Sequence, residues 1–192
     1  MVATVVCRAA LILGATALIT SCGARHPTSS TFADDVHGLT VTLPDGWQPA
    51  RESLTPNLSD PREELTVTTF AAHYRKGNCA HMPSSALEDM PTDGALVTLM
   101  ERGLTPNSTW PGFPARPDHF GPSLGGRSEA GACVPGSTFT DHWFGFTDNG
   151  RHFHVDVVFG ADATPETKAE AWAILDSLKV DGAVAPDWEA TP

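Results

Sequence analysis

Asp148-Asn149-Gly150 stands between two runs, Asp141–Thr147 and Arg151–Phe159, in which apolar residues alternate with polar ones. Asn-Gly in that setting signals a two-residue type I′ hairpin, because both central residues need positive φ. Asp148 then faces Arg151, Thr147 faces His152, Phe146 faces Phe153, Gly145 faces His154, Phe144 faces Val155 and Trp143 faces Asp156. One side of the ribbon collects Phe144, Phe146, Phe153, Val155, Val157 and Phe159, and the other carries Asp141, Trp143, His152, His154 and Asp156. A three-residue loop would slip the register and mix polar with apolar on both sides, which burial disfavours.

A helix follows. Thr164 supplies an N-cap, Pro165 the first helical position and Glu166 a carboxylate where the helix dipole favours one. Ala171, Trp172, Leu175 and Leu178 recur at three- and four-residue spacing and form an apolar stripe for the hairpin's Phe/Val side. Upstream, Gly38–Leu43 alternates before the turn Pro44-Asp45-Gly46, residues 49–64 read as a surface loop, and Leu65–Tyr74 alternates again. Ser84–Met90 reads as a short helix capped by Ser84 or Ser85, and Ala95–Arg102 as a strand flanked by Gly94 and Gly103. The fold class expected is α+β, an antiparallel sheet with a C-terminal amphipathic helix packed on one face.

Residues 103–133 are irregular, with Pro106, Pro111, Pro114, Pro117 and Pro122 each lacking a backbone donor. Such a segment runs over the surface, and Trp110, Phe113 and Phe120 give it apolar side chains with which to fold back over a groove. Gly121-Pro122-Ser123-Leu124-Gly125 matches the Gly-x-Ser-x-Gly pattern of a hydrolase elbow. That elbow needs a strand before the serine and a helix after it, and neither is written here.

The chain has 192 residues, enough for one domain and a targeting segment. With 12 Lys+Arg against 23 Asp+Glu and a net charge of -11, no basic cluster exists to neutralise phosphates, which excludes nucleic acid as a partner. Residues 1–21 contain Arg8 and no acid, followed by an apolar run from Ala9 to Ile19 that is short for a bilayer span; they read as a signal peptide. Residues 22–31 read as a tether, 32–180 as a single domain and 181–192 as a flexible tail.

Leu18-Ile19-Thr20-Ser21-Cys22 resembles the lipobox of bacterial lipoproteins. The resemblance implies diacylglycerol on the Cys22 thiol, cleavage before it, and attachment to the extracytoplasmic face of the cell membrane. Two or more acyl chains anchor stably where one does not, each buried methylene contributing about 0.8 kcal/mol. Cys7 leaves with the signal peptide, so Cys79 and Cys133 remain in an oxidising compartment and are expected to pair. Closing a loop of that length stabilises by about 4 kcal/mol in the chain-entropy model.

Gly38–Val41 leading to Pro44-Asp45-Gly46-Trp47, with a final helix ending Ile174–Leu178, resembles the PsbP/Mog1-like domains of bacterial lipoproteins. Tyr74–Cys79, Pro91–Leu96, Phe113-Pro114-Ala115-Arg116-Pro117, Phe146–Phe153 and the final helix resemble a recurring actinobacterial exported-protein family, over about residues 38–180. Both resemblances carry compartment and fold, and no catalytic residue.

Candidate chemistry lies on one face of the hairpin. Alternation by itself makes His152, His154 and Asp156 a solvated polar surface. The same His-x-His-x-Asp spacing can also present two imidazoles and a carboxylate to one metal ion. His142 falls on the apolar side as a core histidine. The expected function is a non-enzymatic, lipid-anchored binding or accessory module of the envelope, without a cofactor, whose partner is an envelope protein or small ligand. The alternative is a metal-binding protein or metalloenzyme using His152, His154 and Asp156. Replacing Cys22 by Ala is expected to move the chain from the detergent phase to the aqueous phase on partitioning; no shift would refute lipidation.

Overall fold

The computed structural model describes residues 29–103, 112–126 and 133–182. The elements run β1 (Ser29–Asp34), β2 (Leu39–Pro44), β3 (Gln48–Pro49), β4 (Arg62–Thr68), α1 (Ser84–Asp89), β5 (Ala95–Arg102), β6 (Thr140–Asp148), β7 (Arg151–Phe159), α2 (Pro165–Ser177) and β8 (Lys179–Val180). The result is a mostly-sheet α+β domain with antiparallel sheets.

The strands form two sheets instead of the single one expected. β1, β2 and β8 make the smaller, with β2 central. β3, β4, β5, β7 and β6 make the larger, in that order, so β7 is flanked on both sides and β6 is an edge. The stretch expected to be tether up to Thr31 contributes Ser29, Ser30 and Thr31 to β1, where they pair with Pro44, Leu43 and Thr42.

The hairpin adopts every pair expected of it, from Asp148 against Arg151 to Trp143 against Asp156. Asn149 (φ 49°) and Gly150 (φ 79°) supply the two positive φ values that the turn requires. Thr164 caps α2 by accepting from the Thr167 amide, with Pro165 and Glu166 in the first turn. Ala171, Trp172, Ile174, Leu175 and Leu178 join Phe144, Phe146, Phe153, Val155, Val157 and Phe159 in one buried cluster with Leu39, Val41 and Leu43 of β2. His142 lies at the side of this cluster, edge-on to Trp172 and Phe159. Burial holds its imidazole below the ordinary histidine range.

Three local expectations need correction. β4 ends at Thr68 and does not run on to Tyr74; the Thr68 hydroxyl donates to the Phe70 carbonyl and the chain leaves the sheet there. The 49–64 loop is not wholly superficial. Glu63 collects the Ser53 hydroxyl and the Thr55 amide and hydroxyl, which folds the loop against β4 and buries Leu54 completely. The N-cap of α1 is Pro83, without a side-chain cap; Ser85 instead donates to the His73 carbonyl and accepts from the Arg75 amide.

At one end of the large cluster the apolar pattern gives way to charge. Arg151 donates from Nε to Glu101 Oε1 at 2.8 Å and from Nη2 to Oε2 at 2.7 Å, while Nη1 reaches the His37 carbonyl at 2.7 Å. Arg151 thereby ties the β1–β2 connection to the larger sheet. Glu64, at a β-bulge in β4, lies beside this pair with Arg62 on one oxygen and His37 Nδ1 3.6 Å from the other. Burial holds its carboxyl above the ordinary range; Arg62 opposes this and the Glu101 charge adds to it.

A buried pair of this kind is costly to break on one side only, because the remaining charge has no partner. Arg151→Met is expected to destabilise by about 3–5 kcal/mol, and adding Glu101→Leu to recover most of the loss. Urea unfolding of the single and double variants checks this, and equal losses in the two would refute it.

Candidate functional site

The outer edge of β6 is where the sheet meets the proline-rich segment. Thr147 donates its amide to the Pro114 carbonyl at 2.7 Å and accepts at its own carbonyl from the Arg116 amide at 2.9 Å. Four residues earlier, the Trp143 amide donates to the Gly126 carbonyl at 3.2 Å. The segment thus touches the edge at two points, Ala115 with Thr147 and Gly126 with Trp143, and arches between them.

Arg116 holds the arch in place. Its Nη1 donates to Asp148 at 2.8 Å and to the Leu178 carbonyl at 2.7 Å, and its Nη2 donates to the Leu175 carbonyl at 3.1 Å and the Asp176 carbonyl at 3.2 Å. One guanidinium therefore joins the arch to the hairpin and to the carbonyls at the C-terminus of α2, where a cation is electrostatically favoured. Phe120 completes the attachment. Its amide donates to Asp176 at 2.8 Å, and its ring packs against Phe144 and Phe146.

Beneath the arch is a cleft of about 480 Å³ lined by Phe113, Pro114, Ala115, Pro117, Leu124, Gly125, Gly126, Trp143, Phe144 and Gly145. None of these residues carries a charge, although the chain is strongly acidic. Two glycines shape it. The Phe113 ring lies where a Cβ on Gly145 would be, and Gly125, at φ 92°, brings its backbone against the Trp143 carbonyl. Any larger residue at either position would push a wall of the cleft outward. Trp143 stands at the rim, 39% exposed, with its ring edge-on to Phe113 and His154.

The three residues expected to form a polar face are placed differently from one another. His154 and Asp156 are buried, 1% and 2% exposed, so the solvated surface expected there is not found. A second apolar cluster covers this side of the sheet. It is formed by Leu54, Ala72, Met82, Ala86, Leu87 and Met90 over Leu96 and Val158, with Cys133, Val134 and Phe139 packed against it. The Cys79–Cys133 disulfide, across 54 residues of chain and with Cα atoms 5.4 Å apart, ties that cover together. His152 instead secures the arch. The Thr147 hydroxyl donates its one proton to the Phe113 carbonyl, so His152 Nδ1, 2.9 Å from the same hydroxyl, is the donor to it.

Among the described residues no group of three His, Cys, Asp or Glu is placed to hold a metal ion. The electrostatics of the pair that remains also oppose a cation. The His154 ring lies 4.9 Å from that of His81, tilted at 50°, and burial first, with the positive charge of Arg102 adding to it, lowers the proton affinity of both imidazoles. Gly121–Gly125 forms a turn within the arch, with the Leu124 amide on the Gly121 carbonyl, and not the strand-turn-helix of a hydrolase elbow. Cys22 lies outside the described residues. No helix among the described residues is long and apolar enough to cross a membrane. No protein-family model and no curated protein matches the chain.

Burial sets the protonation of the two covered groups. Among the described residues, His154 Nε2 and Asp156 Oδ2 have no hydrogen-bond partner. Desolvation, with His81 and Arg102 adding to it, lowers the His154 imidazole to about 3, while desolvation and the Asp141 charge raise the Asp156 carboxyl to about 7. Both groups are therefore neutral over much of the acidic range.

The folded chain keeps the Asp156 proton up to about pH 7, whereas the unfolded chain loses it near 4, so this group's contribution to stability falls as pH rises through that window. His154 acts in the opposite sense: the unfolded chain takes up a proton below about 6.5 and the folded chain does not, so stability is lost as pH falls towards 3. Asp156→Asn removes the first effect and leaves the second. Relative to wild type, the variant is expected to gain stability between pH 5 and pH 8, by at most about 4 kcal/mol. Thermal unfolding at the two pH values measures the difference, and an offset identical at both would contradict the assignment.

Proposed function

We propose that the chain is a lipid-anchored envelope lipoprotein whose exported domain is a non-enzymatic binding module, with the cleft between β6 and the 112–126 arch as its ligand site. The observation that carries this reading is the cleft itself: about 480 Å³, lined by aromatic, proline and glycine residues without a charge, and braced by Arg116 on two other elements. That size and lining suit a small apolar molecule. The lipobox at Cys22 supplies the compartment, the cell membrane on its extracytoplasmic side. The scaffold is an antiparallel α+β domain whose C-terminal amphipathic helix covers one face of the sheet, supported by Trp172 against Phe144 and Phe159. The likeness to PsbP/Mog1-like domains belongs to the same proposal and agrees with an accessory, non-catalytic role.

A neutral solvatochromic dye such as Nile red tests the site, using the Cys22→Ala chain in detergent-free buffer. Saturable uptake with a blue shift is expected in the parent. Trp143→Glu, which puts a charge at the rim and leaves the core cluster untouched, is expected to weaken it by about tenfold or more. Dye uptake that is absent, or equal in the two proteins, would sink the reading.

A further inference from the structure

The strand edge that lines the cleft offers a polar feature that belongs to the backbone. Along an antiparallel edge strand, the N–H and C=O of alternate residues point away from the partner strand. The amides of Thr147 and Trp143 point outward to Pro114 and Gly126. Gly145, midway between them, therefore turns its own N–H and C=O outward as well, between the two points where the arch touches the strand. It faces His154 across β7 as a pair whose hydrogen bonds do not run between those strands.

Gly145 lines the cleft. Having no side chain, it presents backbone there, with Phe113 over one side of it. Its outward donor and acceptor form a directional polar pair among walls made of Phe113, Pro114, Pro117, Leu124, Trp143 and Phe144. A donor and acceptor on one residue of an edge strand match a secondary amide, whose C=O takes the N–H and whose N–H reaches the C=O, as in a single β-bridge.

We infer that the ligand of this cleft is an uncharged apolar molecule bearing a secondary amide, which pairs with Gly145 while its apolar arms lie along Phe113 and Leu124. The inference rests on the cleft being the binding site, as proposed above. Charged molecules are disfavoured because the lining offers them no counter-ion. An apolar molecule without the amide would bind by contact alone and leave the Gly145 groups without partners in a desolvated site. A site arranged in this way discriminates strongly against an analogue that lacks the matching group.

The test uses the full lipidated chain in nanodiscs, with empty discs as reference, and three soluble probes of matched size: N-propylbutanamide, N-methyl-N-propylbutanamide and propyl butanoate. The expected result is that the secondary amide binds about tenfold or more tightly than the other two, and that it alone moves the Gly145 amide resonance downfield. Equal binding of all three, or a Gly145 resonance unmoved by the secondary amide, would overturn amide recognition while leaving the cleft as a site for apolar molecules. Absence of binding by every probe, with no dye uptake, would remove both.

Discussion

Two consecutive residues at positive φ, Asn149 and Gly150, set how β6 pairs with β7, and the orientation of nearly every residue discussed above follows from that pairing. Side chains on a strand alternate, so a slip of one residue would turn the side chains of one strand over and mix polar with apolar on both faces. Phe144 and Phe146 would leave the cluster they share with Phe120, Phe153 and Trp172 and join His154 and Asp156 on the opposite face. The outward groups of β6 would shift as well. Gly145 would turn its amide towards β7, and a phenylalanine would face the arch. Asn149 also donates from its side chain to the Val180 carbonyl, so the turn residue that sets the register is joined to the strand following α2.

The larger sheet is covered on both sides, and the two covers differ in chemistry. The Phe/Val side belongs to one buried cluster with Leu39, Val41 and Leu43 and is apolar until it reaches the Glu101–Arg151 pair at its end. The opposite side includes Thr66, Thr98, His154 and Asp156 beneath a smaller apolar cover. Thr66 gives its hydroxyl proton to Glu63, so Thr98, 3.2 Å away, is the donor to Thr66. Asp156 faces Thr98 across the next strand pair. Polar residues on this side are kept neutral or hydrogen-bonded, as burial demands. This is why the carboxyl of Asp156 and the imidazole of His154 move in opposite directions from their ordinary ranges.

The hairpin register was legible residue by residue, because turn chemistry and period-two alternation are local properties. The cap at Thr164 was legible for the same reason. What covered the histidine side was not, since that depends on α1 and the disulfide-tied segment returning from distant parts of the chain. A signal did exist in β5: Ala95–Met100 is nearly continuous in apolar residues, the composition of a strand buried on both faces and not of one with a wet side. The cleft also left a trace. Glycine between two phenylalanines in a strand marks close approach by another backbone or a ligand, and Phe144-Gly145-Phe146 meets both Phe113 and the cleft. The role of Arg116 could not be read, because its partners lie 32 and some 60 residues away and include three backbone carbonyls.

The fold and the cleft both depend on the β6–β7 register, and nuclear Overhauser contacts between α-protons test it directly. In an antiparallel ribbon these are strongest between facing residues whose hydrogen bonds point outward. Contacts joining Trp143 to Asp156, Gly145 to His154 and Thr147 to His152 are the predicted result. Contacts joining Phe144 or Phe146 to His154 would contradict it. They would mix polar with apolar on both faces, take Gly145 off the floor of the cleft and remove the structural basis of the binding site.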